Sequence, residues 1–265
     1  MFASLAPARR RLLRGLIGLV LAAGIAGVAV AIARDVGSDS PAAAAQDMAG
    51  PVLLVPGYGG STRSLAPLAA SLRAAGKDVT VVSLPDNALG DLDVQAVALA
   101  AAAAAARSRT GAPSVDVVGY SAGGVVVRLW IRDHRGAAVV RRAITLGSPH
   151  HGTALADLGT AVPEACPVAC QQLATGSPVL DALNRDDETP SGPTWLSIWT
   201  ERDSTVLPPD SARLDGATNI TVQSRCPADT VDHSGLPADA VVQQLVLAQL
   251  TTGDAGKATV ACLSS

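Results

Sequence analysis

Aromatic side chains are nearly missing from this chain, which has one Phe, two Tyr and three Trp in 265 residues. The core must then be filled by Ala, Val and Leu, and a hydrophobic content of 48% suffices for one large domain. Trp130, Trp195 and Trp199 fall inside expected regular elements and read as packing residues, not sugar platforms. An excess of positive charge is missing too. From residue 46 onward, 15 basic and 21 acidic residues give a net charge of −6, with no basic stripe. That balance argues against a nucleic-acid partner and leaves neutral or apolar substrates open. Histidine is scarce, with four copies, and the four cysteines contain no C-x₂-C pair followed by a histidine at a ligand interval. No metal and no cofactor is therefore expected. Internal repeats are absent, and the alanine run Ala100–Ala106 carries no functional signal of its own.

What is present begins with an address. Arg9, Arg10, Arg11 and Arg14 precede an uncharged apolar run, Gly15 to Ala33. Positive charge ahead of such a run keeps the amino terminus inside and sends the rest outward. The run is close to the roughly 20 residues that span a bilayer, which offers membrane association through residues 15–33. Ala43-Ala44-Ala45 equally offers an A-x-A cleavage site. Both readings export the domain, as a secreted or a membrane-anchored protein, and a monomer is expected. The first 45 residues then form the signal or anchor with its linker, and 46–265 the folded domain. The even cysteine count agrees with export to an oxidising compartment. Cys166–Cys170 is expected as a local staple and Cys226–Cys262 as a tie on the C-terminal tail.

Along the domain, strand-like and helix-like stretches alternate. Strands are predicted in "PVLLVPG" (51–57), "KDVTVVSLP" (77–85), "SVDVVGYS" (114–121), "VVRRAITLGSP" (139–149), "TWLSIWT" (194–200) and "ATNITVQS" (217–224). Helices are predicted in "SLAPLAASLRAAG", Asp91–Arg109, "AGGVVVRLWIRDHRG" and Pro237–Thr251. This alternation points to an α/β fold, a doubly wound and mainly parallel sheet with helices on both faces. Residues 152–193 show no clear period. In such sheets function gathers in loops at the carboxyl ends of the strands.

One of those ends carries Gly119-Tyr120-Ser121-Ala122-Gly123, a G-x-S-x-G nucleophile elbow between a strand and a helix. The serine at its apex adopts strained dihedrals costing about 1–3 kcal/mol, and the glycines leave room for neighbouring backbone. A serine nucleophile needs a base, and the base an orienting acid. His233 follows the last predicted strand and precedes the last helix, where the base belongs. His134 reads as a surface residue near a helix end. His150 and His151 precede any acid loop and read as structural. For the acid, the loop after "TWLSIWT" offers Glu201 and Asp203, which spacing alone does not separate; Asp187 and Glu188 read as solvated loop charges. Asp116 is expected to hydrogen-bond a neighbouring loop. Oxyanion donors are expected from the Ala122 N–H, at a helix start, and from the Tyr58 N–H in "PGYGGS".

Together "VPGYGGS", "VDVVGYSAGG", "ITLGSPHHGT", "SIWTERDSTVLP" and "DHSGL" resemble the small secreted bacterial lipases of the Bacillus subtilis type, within the α/β-hydrolase superfamily. The resemblance runs from about Pro51 to Leu250. It implies a Ser121–Asp203–His233 triad, with Asp203 chosen over Glu201 because a short apolar step like Ser204-Thr205-Val206 follows it. It also implies cleavage of lipid or other acyl esters through an acyl-enzyme. Pro56 and Tyr120 stand where many relatives carry His, and the stretch of about 155–193 is longer than in lidless relatives, which implies a small cap-like insertion. An acyltransferase using the same residues and a catalytically silent tethered binding protein are the alternative readings.

Overall fold

The computed structural model describes Ala44 and residues 46–262. The export segment and its apolar run lie outside the described residues. Among the described residues, no helix is long and apolar enough to cross a membrane. β1 (Val52–Val55), β2 (Val79–Val81), β3 (Val115–Tyr120), β4 (Val140–Leu146), β5 (Thr194–Trp199) and β6 (Thr218–Thr221) form one sheet in the order β2-β1-β3-β4-β5-β6. Every pairing is parallel. This is the expected α/β class, and its strands read as unbroken apolar runs because both faces are covered.

The pleat sorts each strand between two cores. Leu53 and Val55 of β1 join a cluster with α2 (Leu92–Thr110) and α3 (Ala122–Asp133). Val52 and Leu54 join the opposite cluster, with α1 (Ala66–Ala74) and α8 (Ala240–Thr252). Side chains alternate across a strand, so four residues supply both layers. The helices start where sequence chemistry allows. Asp91 accepts the N–H groups of Asp93 and Val94 at the head of α2, and Asp239 accepts that of Val242 at the head of α8. Each such cap contributes about 1 kcal/mol.

The insertion holds three short helices, α4 (Ala154–Thr160), α5 (Val168–Gln172) and α6 (Pro178–Asn184). Several element boundaries differ from the sequence reading: the strand expected over 77–85 spans only Val79–Val81, with a 3₁₀ turn at Pro85–Ala88, and two differences lie near the carboxyl end. The sixth strand stops at Thr221, whose hydroxyl accepts the Ser224 N–H and turns the chain into α7 (Val222–Arg225). The last helix starts at Ala240, since Leu236–Ala238 is a separate 3₁₀ turn ahead of the Asp239 cap. Asp116 also differs. It receives the Arg141 guanidinium from β4, at 2.9 and 2.6 Å, in place of a loop. Burial raises its carboxyl pKa, and the guanidinium opposes that rise. Both expected disulfides form, Cys166–Cys170 and Cys226–Cys262. The tryptophans are packing residues, all at most 7% exposed.

Candidate active site

The strand order reverses at β1, which pairs with β2 on one side and β3 on the other. The crevice outside the carboxyl ends of β1 and β3 is therefore the topological switch point, where open α/β sheets bind ligands. Ser121 sits at the end of β3 and Tyr58 in the loop after β1. Ser121 is the N-cap of α3 at φ 53°, ψ −129°, a conformation that non-glycine residues rarely hold. Its flanking glycines are dictated by backbone. A Cβ at Gly119 would lie 2.6 Å from the Gly124 Cα, and one at Gly123 would lie 2.5 Å from the carbonyl oxygens of Val55 and Pro56. The turn can be this sharp only where those side chains are absent.

A chain of hydrogen bonds runs inward from Ser121. Its Oγ is 3.0 Å from His233 Nε2, and His233 Nδ1 is 2.7 Å from Asp203 Oδ2. A carboxylate only accepts, so Nδ1 carries the proton and Nε2 is left to accept from the serine hydroxyl. The Asp203 side chain is 1% exposed and that of His233 8%. Asp203 is held in turn: its Oδ1 accepts the N–H groups of Thr205 and Val206, each at 2.8 Å. Glu201 points elsewhere, accepting from the Thr221 hydroxyl at 3.2 Å.

Several supporting residues escape a sequence reading. Gly147, after β4, faces the imidazole so closely that a Cβ would lie 3.2 Å from His233 Nδ1. The Tyr120 hydroxyl donates to the His233 carbonyl at 3.2 Å, and the two rings lie 5.3 Å apart. Burial pushes the Tyr120 pKa up to about 12, so its hydroxyl stays a donor through the neutral range. The only signal for these contacts was position, one residue before the serine and one after a strand.

The two expected oxyanion donors flank the serine. Ala122 opens α3, so its N–H has no helical partner. Gly57 passes Ser121 so tightly that a Cβ there would sit 2.8 Å from the serine Cβ, which brings the following Tyr58 alongside. Among the described residues neither N–H donates elsewhere. Beside them opens a cleft of about 260 Å³, walled by Pro149, Leu155, Ala156, Leu173 and Val206. A larger hollow of about 470 Å³ lies at the opposite edge of the sheet, against Thr194 and Thr218 at the starts of β5 and β6. It is polar-lined and remote from Ser121, so the smaller cleft belongs to the chemistry.

The other histidines lie outside this arrangement. His134 caps α3 and meets Asp93 at 2.6 Å. His150 is fully buried with Nε2 3.1 Å from the Thr145 hydroxyl. His151 meets Glu188 at 2.8 Å, so Glu188 is a paired residue and not the solvated charge expected; it also accepts the Asp215 N–H. Among the described residues, no group of three or more His, Cys, Asp or Glu is arranged to hold a metal ion.

Comparison with known proteins follows the same lines. Aspergillus fumigatus lipase B superposes with a TM-score of 0.70 at 20% identity, over 79% of this chain and 55% of that one. The chain thus spans just over half the length of that lipase. Mature Bacillus licheniformis lipase BlEst2 superposes with a TM-score of 0.64 at 21% identity, over 81% of this chain and 95% of that one. At such identities the likeness establishes the fold. No curated protein sequence matches. Residues 51–184, which run from β1 through the elbow to the end of α6, match the sequence profile of the palmitoyl protein thioesterase family. By that match across half its length, the chain belongs to the palmitoyl protein thioesterase family.

Proposed function

We propose that the protein is an exported serine hydrolase that cleaves fatty acyl esters or thioesters through an acyl-enzyme on Ser121. The observation that carries this reading is the continuous relay Ser121 Oγ, His233 Nε2, His233 Nδ1 and Asp203 Oδ2, with links of 3.0 and 2.7 Å. The serine oxygen attacks the acyl carbonyl carbon while its proton passes to His233 Nε2. Asp203 holds the imidazole in the required tautomer and stabilises the imidazolium that forms. The Tyr58 and Ala122 N–H groups receive the oxyanion; removing one such donor typically costs about 2.7–4 kcal/mol of transition-state stabilisation. His233 then returns the proton to the leaving alcohol or thiol. Water, deprotonated by the same nitrogen, attacks the acyl-serine, and His233 returns that proton to Ser121 Oγ as the acid is released. No cofactor enters any of these steps.

The family match supports an acyl substrate, and the apolar walls beside Ser121 suit an acyl chain. The two disulfides support an oxidising destination. The arginines and apolar run of residues 9–33 would provide the route there, as a cleaved signal or as a tether. A fluorophosphonate probe should label wild-type protein at Ser121 and leave Ser121→Ala unlabelled. The same substitution should reduce p-nitrophenyl butyrate hydrolysis to background while thermal melting is retained. Labelling elsewhere, or a Ser121→Ala variant with wild-type turnover, would refute the assignment.

A further inference from the structure

The chain leaving β2 turns with left-handed backbone. Asp86, Asn87 and Ala88 stand in succession at φ 50°, 52° and 55°, with ψ 32° and 35° at the first two. Single Asn or Asp residues visit that region; an alanine seldom does, and a run of three non-glycine residues is rarer still. Such a run persists only where its surroundings over-determine it. Here they do. The Leu89 N–H closes the turn on the Asp86 carbonyl at 3.0 Å. Ala88 is buried in one core cluster with Leu84 and Leu92. Beyond the turn, the Leu89 carbonyl accepts the Ala169 N–H of α5, and the Gly90 carbonyl accepts the Gln95 amide.

What this turn abuts is the loop after β1. A Cβ at Gly60 would lie 2.9 Å from the carbonyl carbon of Asn87 and 3.1 Å from its Cα. Backbone meets backbone there, with no flexible side chain between them to absorb movement. The Gly60 N–H donates to the Gly57 carbonyl at 3.0 Å and closes the tight turn that carries Tyr58. At its other end Gly57 is pressed against Ser121. The Tyr58 loop is thus held between the nucleophile and Asn87. We propose that the left-handed turn Asp86–Ala88 is a positioning element whose backbone, at Asn87, fixes the Tyr58 N–H in the oxyanion hole. This rests on the hydrolase reading above. The Asp86 and Asn87 side chains are exposed, so the role belongs to the backbone conformation. Strain held at this point serves a donor that must already be in place when charge develops on the acyl oxygen.

The test compares two substitutions that both remove the Asn87 side chain. Glycine accepts a positive φ freely, whereas a β-branched valine is an outlier there and drives the turn out of its left-handed form. Asn87→Gly should keep kcat on p-nitrophenyl butyrate within about twofold, as an exposed substitution does. Asn87→Val should lower kcat about a hundredfold, the scale of a roughly 1 Å misplacement. KM should change by less than about threefold, because the donor acts in the transition state. Inhibition by an alkyl trifluoromethyl ketone, whose hemiketal oxyanion occupies the same hole, should weaken by the factor lost from kcat. Fluorophosphonate labelling to completion counts folded sites, so a loss of folded protein alone would leave kcat per site unchanged. A folded Asn87→Val with wild-type kcat per site overturns the proposal, as does an Asn87→Gly as damaged as the valine variant. Should the valine variant not fold, Gly60→Ala drives a methyl group against the Asn87 backbone from the opposite side and should show the same paired loss. Unchanged kcat and ketone inhibition in Gly60→Ala overturn the proposal alone. Wild-type protein that takes neither probe nor ester overturns the hydrolase reading, and this proposal with it.

Discussion

Two carboxylates stand two residues apart after β5, and only their surroundings separate them. Asp203 is buried, with one oxygen on His233 and the other receiving two backbone N–H groups. Glu201 is exposed and engaged by Thr221. An acid that orients an imidazole must itself be immobile, and backbone donors provide that better than a solvated side chain does. Asp203→Ala should therefore lower kcat by about 10⁴-fold, as loss of the orienting acid does in comparable relays. Glu201→Ala should change it by less than about twofold, within the scatter of surface substitutions. Parallel kcat measurements on p-nitrophenyl butyrate decide this. A crippled Glu201→Ala beside an active Asp203→Ala would transfer the role to the glutamate.

At the scale of elements, what could be read from the sequence followed from range of contact. β1, β3, β4 and β5 announce themselves because a doubly covered strand is a short apolar run ended by a turn residue. Their order then places Ser121, the acid loop and His233 on one edge. The insertion had no such signature. Its helices are five to seven residues long, too short for a 3.6-residue period to show. They are held by partners distant in sequence. Buried Arg128 of α3 donates to the Leu183 and Glu188 carbonyls, at 2.9 and 3.1 Å, and burial lowers its pKa to about 10. Pairings such as Asp116 with Arg141, or His151 with Glu188, leave no trace in local spacing either. The C-terminal tie was expected from the even cysteine count and not from spacing, and its energetic role can be measured. Cys226–Cys262 closes a separation of 36 residues, and such a loop contributes about 3–4 kcal/mol. Cys226→Ser/Cys262→Ser should therefore melt roughly 6–16 °C lower, with Ser121 labelling preserved below the transition. An unchanged melting temperature would mean that the tail is held by its hydrogen bonds to Gln244.

For the molecule as a whole, two adjacent histidines set opposing pH dependences of stability. Burial, aided by the nearby Arg128 charge, holds His150 well below the ordinary histidine value. The hydrogen bond to Glu188 lifts His151 above it, against partial burial. In the unfolded chain both titrate near pH 6.5. As pH falls below that point, the unfolded chain takes up a proton at His150 that the folded protein refuses, so stability drops. His151 works the other way. Its contribution is fully present below about pH 6.5 and is lost as pH rises through its raised folded value. Glu188 adds to the acid side: although burial pushes its pKa up, the bonds from His151 and the Asp215 N–H bring it below the ordinary carboxylate value. Its share is lost only as pH falls through that lowered value. Melting temperature plotted from pH 4 to pH 9 should therefore rise and then decline, with its maximum close to neutrality. His151→Asn should flatten the decline on the alkaline side and leave His150's share of the acid limb in place. A His151→Asn profile with the wild-type alkaline slope would show that the His151–Glu188 contact does not couple folding to pH.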